Sequence, residues 1–212
     1  MRIIPAILAN NFEDFQRMIR DAESFTDYVQ LDFMDGKFVP SKSIDASELA
    51  KAKTSLRTEA HLMVRSPEGF FDVLKNFGVE KVLFHYEALS NPARIIKKLK
   101  DQGFKVGLAV NPETSVFDIE NLAGEVDSVL FLAVNPGFYG KEFIPEVLGK
   151  VKELKRKKPH LDIGVDGGIK LKNIEKVLKA GADFACVGSA IFDTKDPAKS
   201  YLAFKTKGKR EG

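Results

Sequence analysis

A single-domain (β/α)8 barrel is the fold this 212-residue sequence predicts, and three observations predict it. An apolar strand, a few small or polar residues and an amphipathic helix recur about every 25 residues with no linker between units. Eight such strands follow one another along the chain. The last two end in the bare turns Gly167-Gly168 and Gly188-Ser189, inside Ile163-Gly-Val-Asp-Gly-Gly-Ile169 and Val187-Gly-Ser-Ala-Ile-Phe192. Backbone N–H groups at such turns, with helix N-termini behind them, offer an anion site, and a barrel builds its phosphate site after strands seven and eight. A doubly wound sheet would carry its glycine fingerprint after the first strand. Neither G-x-G-x-x-G nor a Walker sequence occurs.

The elements follow in order. A strand over 3–8 precedes a helical pattern over 12–24, and a strand over 28–32 leads into a long loop through Ser41. The third strand, 58–63, precedes a helix over 68–76, and the fourth, 81–85, one over 92–102. After the fifth strand, 105–110, the helical segment is short, 116–123; after the sixth, 128–134, it covers 145–157. The seventh strand, 162–166, is followed by a helix over 173–180, in which Ile174, Val177 and Leu178 share a face and Gly181 is the stop signal. The eighth strand, 184–188, holds the single cysteine, Cys186, in an apolar setting that suits packing rather than a nucleophile. Residues 205–212 read as a basic, frayed tail.

Composition narrows the function classes. Hydrophobic residues make up 44% and charged residues 30%, enough apolar material for one large core. A net charge of +3, mixed along the chain, is no nucleic-acid footprint yet does not repel an anionic substrate. No apolar run reaches the roughly 20 residues of a membrane span, and the start, broken at Pro5, does not read as a signal peptide, so a cytoplasmic location is expected.

In a barrel, strand C-termini line the mouth, so the chemistry can be sought there. The second strand ends Gln30-Leu-Asp32, the third His61-Leu-Met63, the fourth at His85 and the seventh at Asp166. Alternation puts Gln30, Asp32 and Met34 on one face, and likewise His61 and Met63. Asp32 and Asp166 then face each other across the mouth, where two carboxylates can remove a proton from one face of a carbon and return one to the other. His61, from the strand beside Asp32, is close enough to share a metal ion. Met34, Met63 and His85 are expected to wall the pocket.

These residues resemble the ribulose-phosphate 3-epimerase family. The resemblance runs from Pro5-Ala-Ile-Leu8 through Leu31-Asp-Phe-Met-Asp-Gly-Lys-Phe-Val-Pro40, His61-Leu-Met-Val64, Phe84-His85, Asn111-Pro112, Asn135-Pro-Gly-Phe138 and Val165-Asp-Gly-Gly-Ile169 to Gly188-Ser-Ala-Ile-Phe192. It implies a pentose-phosphate isomerase that interconverts D-ribulose 5-phosphate and D-xylulose 5-phosphate, with Asp32 and Asp166 exchanging the proton at C3 through an enediolate. It implies one divalent metal ion (zinc, iron, manganese or cobalt) at Gln30, Asp32, His61 and Asp166. It also implies phosphate contacts from Gly137, Phe138, Tyr139, Gly140, Gly167, Gly168, Gly188 and Ser189, and a homo-oligomer.

The sequence departs from the family pattern at several of these positions. Gln30 replaces the first metal histidine, and a neutral amide oxygen is a poor zinc ligand beside imidazole. Ala6 replaces a serine, Leu132 a methionine, and the loop reads Gly137-Phe-Tyr-Gly-Lys141. Epimerisation of a hexulose 6-phosphate, or binding of a sugar phosphate without turnover, are the alternatives these changes leave open.

Overall fold

The computed structural model describes residues 1–136 and 142–209. Eight parallel strands close into a barrel in sequence order, each paired with its neighbours and the last with the first. They are β1 (Arg2–Ile7), β2 (Tyr28–Met34), β3 (Arg57–Met63), β4 (Lys81–His85), β5 (Lys105–Val110), β6 (Ser128–Leu132), β7 (Asp162–Asp166) and β8 (Phe184–Val187). Among the described residues the helices are α1 (Phe12–Glu23), α2 (Ala46–Leu49), α3 (Phe71–Phe77), α4 (Pro92–Asp101), α5 (Val116–Ile119), α6 (Val147–Lys157), α7 (Ile174–Lys179), α8 (Ser189–Phe192) and α9 (Pro197–Lys207). None is long and apolar enough to cross a membrane.

Local chemistry explains where the helices begin. The Asn11 side chain accepts from the Asp14 N–H to cap α1, and Phe15, Met18, Ile19 and Ala22 then recur on its buried face. Two expected helices are shorter than their apolar patterns. Pro67–Phe70 winds as a 3-10 turn containing Gly69 before α3 begins, and α5, opened by a Ser115–Asp118 capping box, stops at Ile119. The last helix, α9, has no counterpart among the expected elements. Asp196 caps it, Tyr201 and Phe204 are buried beneath it, and it includes Lys205 and Lys207, so the basic segment is helical at its start.

Strand alternation separates two apolar regions. Val29, Leu31 and Phe33 of β2 point out to the helices with the large core, whereas Ile4, Ala6, Leu83, Ala109, Leu130, Leu132, Phe184 and Cys186 fill the barrel. Gly164 makes room for Phe184: a Cβ there would lie 2.2 Å from its ring. Below this layer Glu59 is fully buried, with Lys81 Nζ 2.6 Å from its carboxylate and the Tyr28 hydroxyl donating to it at 2.8 Å. The apolar filling thus lies between a charged floor and a polar mouth.

Candidate active site

The mouth is built from side chains that the pleat turns inward. β2 pairs with β3 in the register Asp32 with His61 and Met34 with Met63, so these four share one end of the barrel. Asp166 closes β7, and its register partner on β8 is Cys186. A single amide joins the two acids. Gln30 Nε2 donates to Asp32 at 2.9 Å and to Asp166 at 2.8 Å, while Gln30 Oε1 accepts from the Cys186 thiol at 3.1 Å. Burial pushes that thiol well above its ordinary range, which keeps it a donor. In this orientation Gln30 presents N–H groups, not a lone pair, to the centre of the site. It clamps the acids instead of adding a fourth ligand.

His61 completes the group. Its Nδ1 lies 3.0 Å from Asp32 and 3.6 Å from Asp166. Asp32, His61 and Asp166 each offer a ligand atom, and these atoms lie within 4.8 Å of one another. Two carboxylate oxygens and an imidazole nitrogen converging in a buried site are a donor set that fits a divalent metal with positions left open. Electrostatics agree with the crowding. Burial and then the neighbouring charge of Asp32 raise the Asp166 carboxyl to about 7, against the opposing pull of His61, Gln30 and the Gly167 N–H. Burial disfavours charge on His61, but its hydrogen bond with Asp32 and the charges of both acids prevail and raise its pKa.

The cavity over this cluster is lined by Asp32, Met34, His61, Met63 and Asp166 on one side and by Gly167, Gly168, Gly188 and Ser189 on the other. Gly167 and Gly168 have φ of 96° and 64°, and a Cβ on Gly167 would meet Val134 Cγ2 at 2.5 Å. Asn173 braces this turn: its Nδ2 donates to the Gly168 carbonyl and its Oδ1 accepts from the Lys170 N–H. Gly137, Phe138, Tyr139, Gly140 and Lys141 lie outside the described residues.

One expected wall residue stands elsewhere. His85 does not line the cavity; it is fully buried behind His61, nitrogen to nitrogen at 3.0 Å, with the Phe38 ring 4.8 Å away. Of the two acids in the second-strand motif only Asp32 reaches the site. Asp35 accepts from the Lys37, Phe38 and Arg65 N–H groups and folds the following loop. Sequence reading missed Asn173 as a brace, Cys186 as a partner of Gln30, and Glu87 behind His85. The strand period places Cys186 beside Asp166 and was a usable signal for it. The other two depend on loop paths.

The family model for the ribulose-phosphate 3 epimerase family matches residues 2–192. The chain belongs to that family. Among curated relatives, ribulose-phosphate 3-epimerase of Bacillus subtilis (strain 168) is 36% identical over 208 residues, covering 94% of this chain and 96% of its own. The cytoplasmic isoform of ribulose-phosphate 3-epimerase from Oryza sativa subsp. japonica is 33% identical over 214 residues, covering 96% and 92%. Among solved structures, a 3-hexulose-6-phosphate synthase superposes with a TM-score of 0.74 at 19% identity, covering 98% of this chain and 99% of that one. Orotidine 5'-phosphate decarboxylase from Pyrococcus horikoshii OT3 does so at 0.66 and 15%, covering 97% and 98%. At those identities the likeness is one of fold.

Proposed function

We propose that this family member interconverts D-ribulose 5-phosphate and D-xylulose 5-phosphate by moving the proton at C3 from one face of the sugar to the other. The observation that carries the reading is the clamped pair Asp32 and Asp166, held together by Gln30 beside a glycine-built anion wall. One carboxylate takes the C3 proton, the electron pair passes into the adjacent ketone to give an enediolate, and the other carboxyl returns a proton to the opposite face. The upward shift of Asp166 suits this, because it lets one carboxyl hold a proton while its neighbour is ionised. The N–H groups of Gly167, Gly168, Gly188 and Ser189 hold the phosphate and fix the sugar's direction. Met34 and Met63 form an apolar wall that keeps water from the reacting carbon.

Asp32, His61 and Asp166 would hold a divalent cation. When bound, zinc, iron, manganese or cobalt would supply Lewis-acid stabilisation of the negative charge developing on the sugar oxygens. A cytoplasmic location belongs to the same reading, supported by the designation of the rice relative.

Deuterium incorporation tests the chemistry. Ribulose 5-phosphate incubated with the protein in D2O, with Mn2+ supplied, should gain deuterium at C3. Asp32→Asn and Asp166→Asn should each abolish most of that exchange, since neither amide can trade a proton at neutral pH. Exchange by the unaltered protein no faster than the buffer blank would overturn the reading in favour of a non-catalytic sugar-phosphate binder.

A further inference from the structure

Behind the metal-ligand side of His61 a line of buried groups leads away from the cavity. His61 Nε2 meets His85 Nε2 at 3.0 Å, and His85 Nδ1 meets Glu87 Oε2 at 3.3 Å. Glu87 Oε1 in turn accepts from the Asn111 N–H at 2.8 Å and from the Thr114 hydroxyl. Neither His85 nor Glu87 lines the cavity, so neither touches substrate.

Hydrogen-bond direction can be followed along this line. Although burial raises it, Glu87 is held below the ordinary carboxylate range by His85, Thr114 and Asn111, and it is therefore an acceptor at both oxygens. The hydrogen on His85 then sits on Nδ1, where it meets a carboxylate. With its hydrogen on Nδ1, the neutral His85 ring has its lone pair on Nε2, the atom that faces His61. His61 Nε2 must be the donor in the contact between the rings.

We propose that Glu87 and His85 are positioning residues that hold a proton on His61 Nε2 and so reserve His61 Nδ1, the atom facing Asp32 and Asp166, for a divalent metal. The inference rests on the metal-holding role assigned above to Asp32, His61 and Asp166. A cation held at Nδ1 leaves the ring's one proton on Nε2, where His85 accepts it. A ring free to place its remaining proton on Nδ1 would instead close the ligand position.

Glu87→Gln reverses the direction with little change of shape. The Asn111 N–H and the Thr114 hydroxyl both donate to Oε1, so they retain the amide oxygen on their side and turn the new NH2 toward His85 Nδ1. His85 must then carry its hydrogen on Nε2, head-on against the His61 N–H. Three measurements follow. Histidine 15N shifts should show His85 protonated at Nδ1 in the unaltered protein, both metal-free and zinc-loaded, and at Nε2 in Glu87→Gln. Titration with Zn2+ and Mn2+ should show a loss of affinity of about 10- to 100-fold in the variant, the size known for partners of metal-bound histidines. Inorganic phosphate should bind both proteins equally, because the glycine turns are untouched.

The unaltered protein alone suffices for the first measurement, so a variant that fails to fold does not stop the test. His85 protonated at Nε2 in the unaltered protein, or unchanged metal affinity in a folded Glu87→Gln, overturns the relay. Absence of Zn2+ and Mn2+ binding by the unaltered protein overturns the metal reading, a result separate from the tautomer of His85.

Discussion

Gln30 occupies a position where its two ends do different work. The amide nitrogen ties Asp32 to Asp166 and the oxygen rests on Cys186. A clamp of this kind offsets repulsion between two buried carboxylates without adding charge or a ligand. Gln30→His should exchange the clamp for a fourth strong ligand on the same inward face. Zinc titration is expected to show about 10- to 100-fold tighter binding, or about 1.4–2.8 kcal/mol. Equal affinity in the two proteins would show that the imidazole does not reach the metal position.

At the scale of elements, the turn after β7 and the floor of the barrel make opposite demands. Gly167 has a left-handed φ of 96° and its missing side chain faces Val134. Gly167→Ala should cost about 1–3 kcal/mol of stability through backbone strain. It should also raise KM for the sugar phosphate more than it lowers kcat, because the anion wall moves while the acids stay; the paired kinetic and melting measurements separate the two effects. On the floor, Lys81 and Tyr28 compensate the buried Glu59 carboxylate. Lys81→Met should destabilise the fold by about 3–5 kcal/mol, since it leaves an unpaired charge in the core. Adding Glu59→Gln to it should recover much of that loss in chemical denaturation, and no recovery would mean that the lysine stabilises mainly by packing on Phe184, whose ring lies 4.8 Å from its ammonium.

For the whole molecule, the site couples pH, metal and stability. Asp166 titrates near 7 when folded, far above an ordinary aspartate, so folding takes up a proton there. The stability its protonated form contributes is complete below about pH 4 and is lost as pH rises through about 7. His61, also raised, contributes in the same sense and loses its contribution as pH rises through its own folded pKa. The metal-free protein should therefore melt progressively lower between pH 5 and 8 than Asp166→Asn does. For a chain of this size each kcal/mol corresponds to about 2–4 °C. Mn2+ at pH 8 should restore the melting temperature of the unaltered protein and act much less on the variant. Parallel melting curves for the two metal-free proteins would refute the placement of the titrating group.

Periodicity and punctuation alone determined the barrel, the eight strands and the positions of Asp32, His61 and Asp166, because a strand's period of two and a barrel's inward face leave few choices for a strand-end residue. The same logic placed Gln30 on an inward face and, applied to β8, would have placed Cys186 there too. It could not say that one would accept from the other, because which atom of an amide turns where depends on its neighbours in space. Tertiary structure decided that Gln30 donates to both acids, that His85 stands behind His61 and not at the wall, and that Asn173 braces the Gly167-Gly168 turn. It also decided α9, whose buried Tyr201 and Phe204 are set by long-range packing, the Tyr201 ring lying tilted against Phe25 at 5.0 Å. Local pattern reports which face a residue occupies; hydrogen-bond direction and long-range packing depend on residues that are distant in sequence, and only the closed barrel brings them within reach.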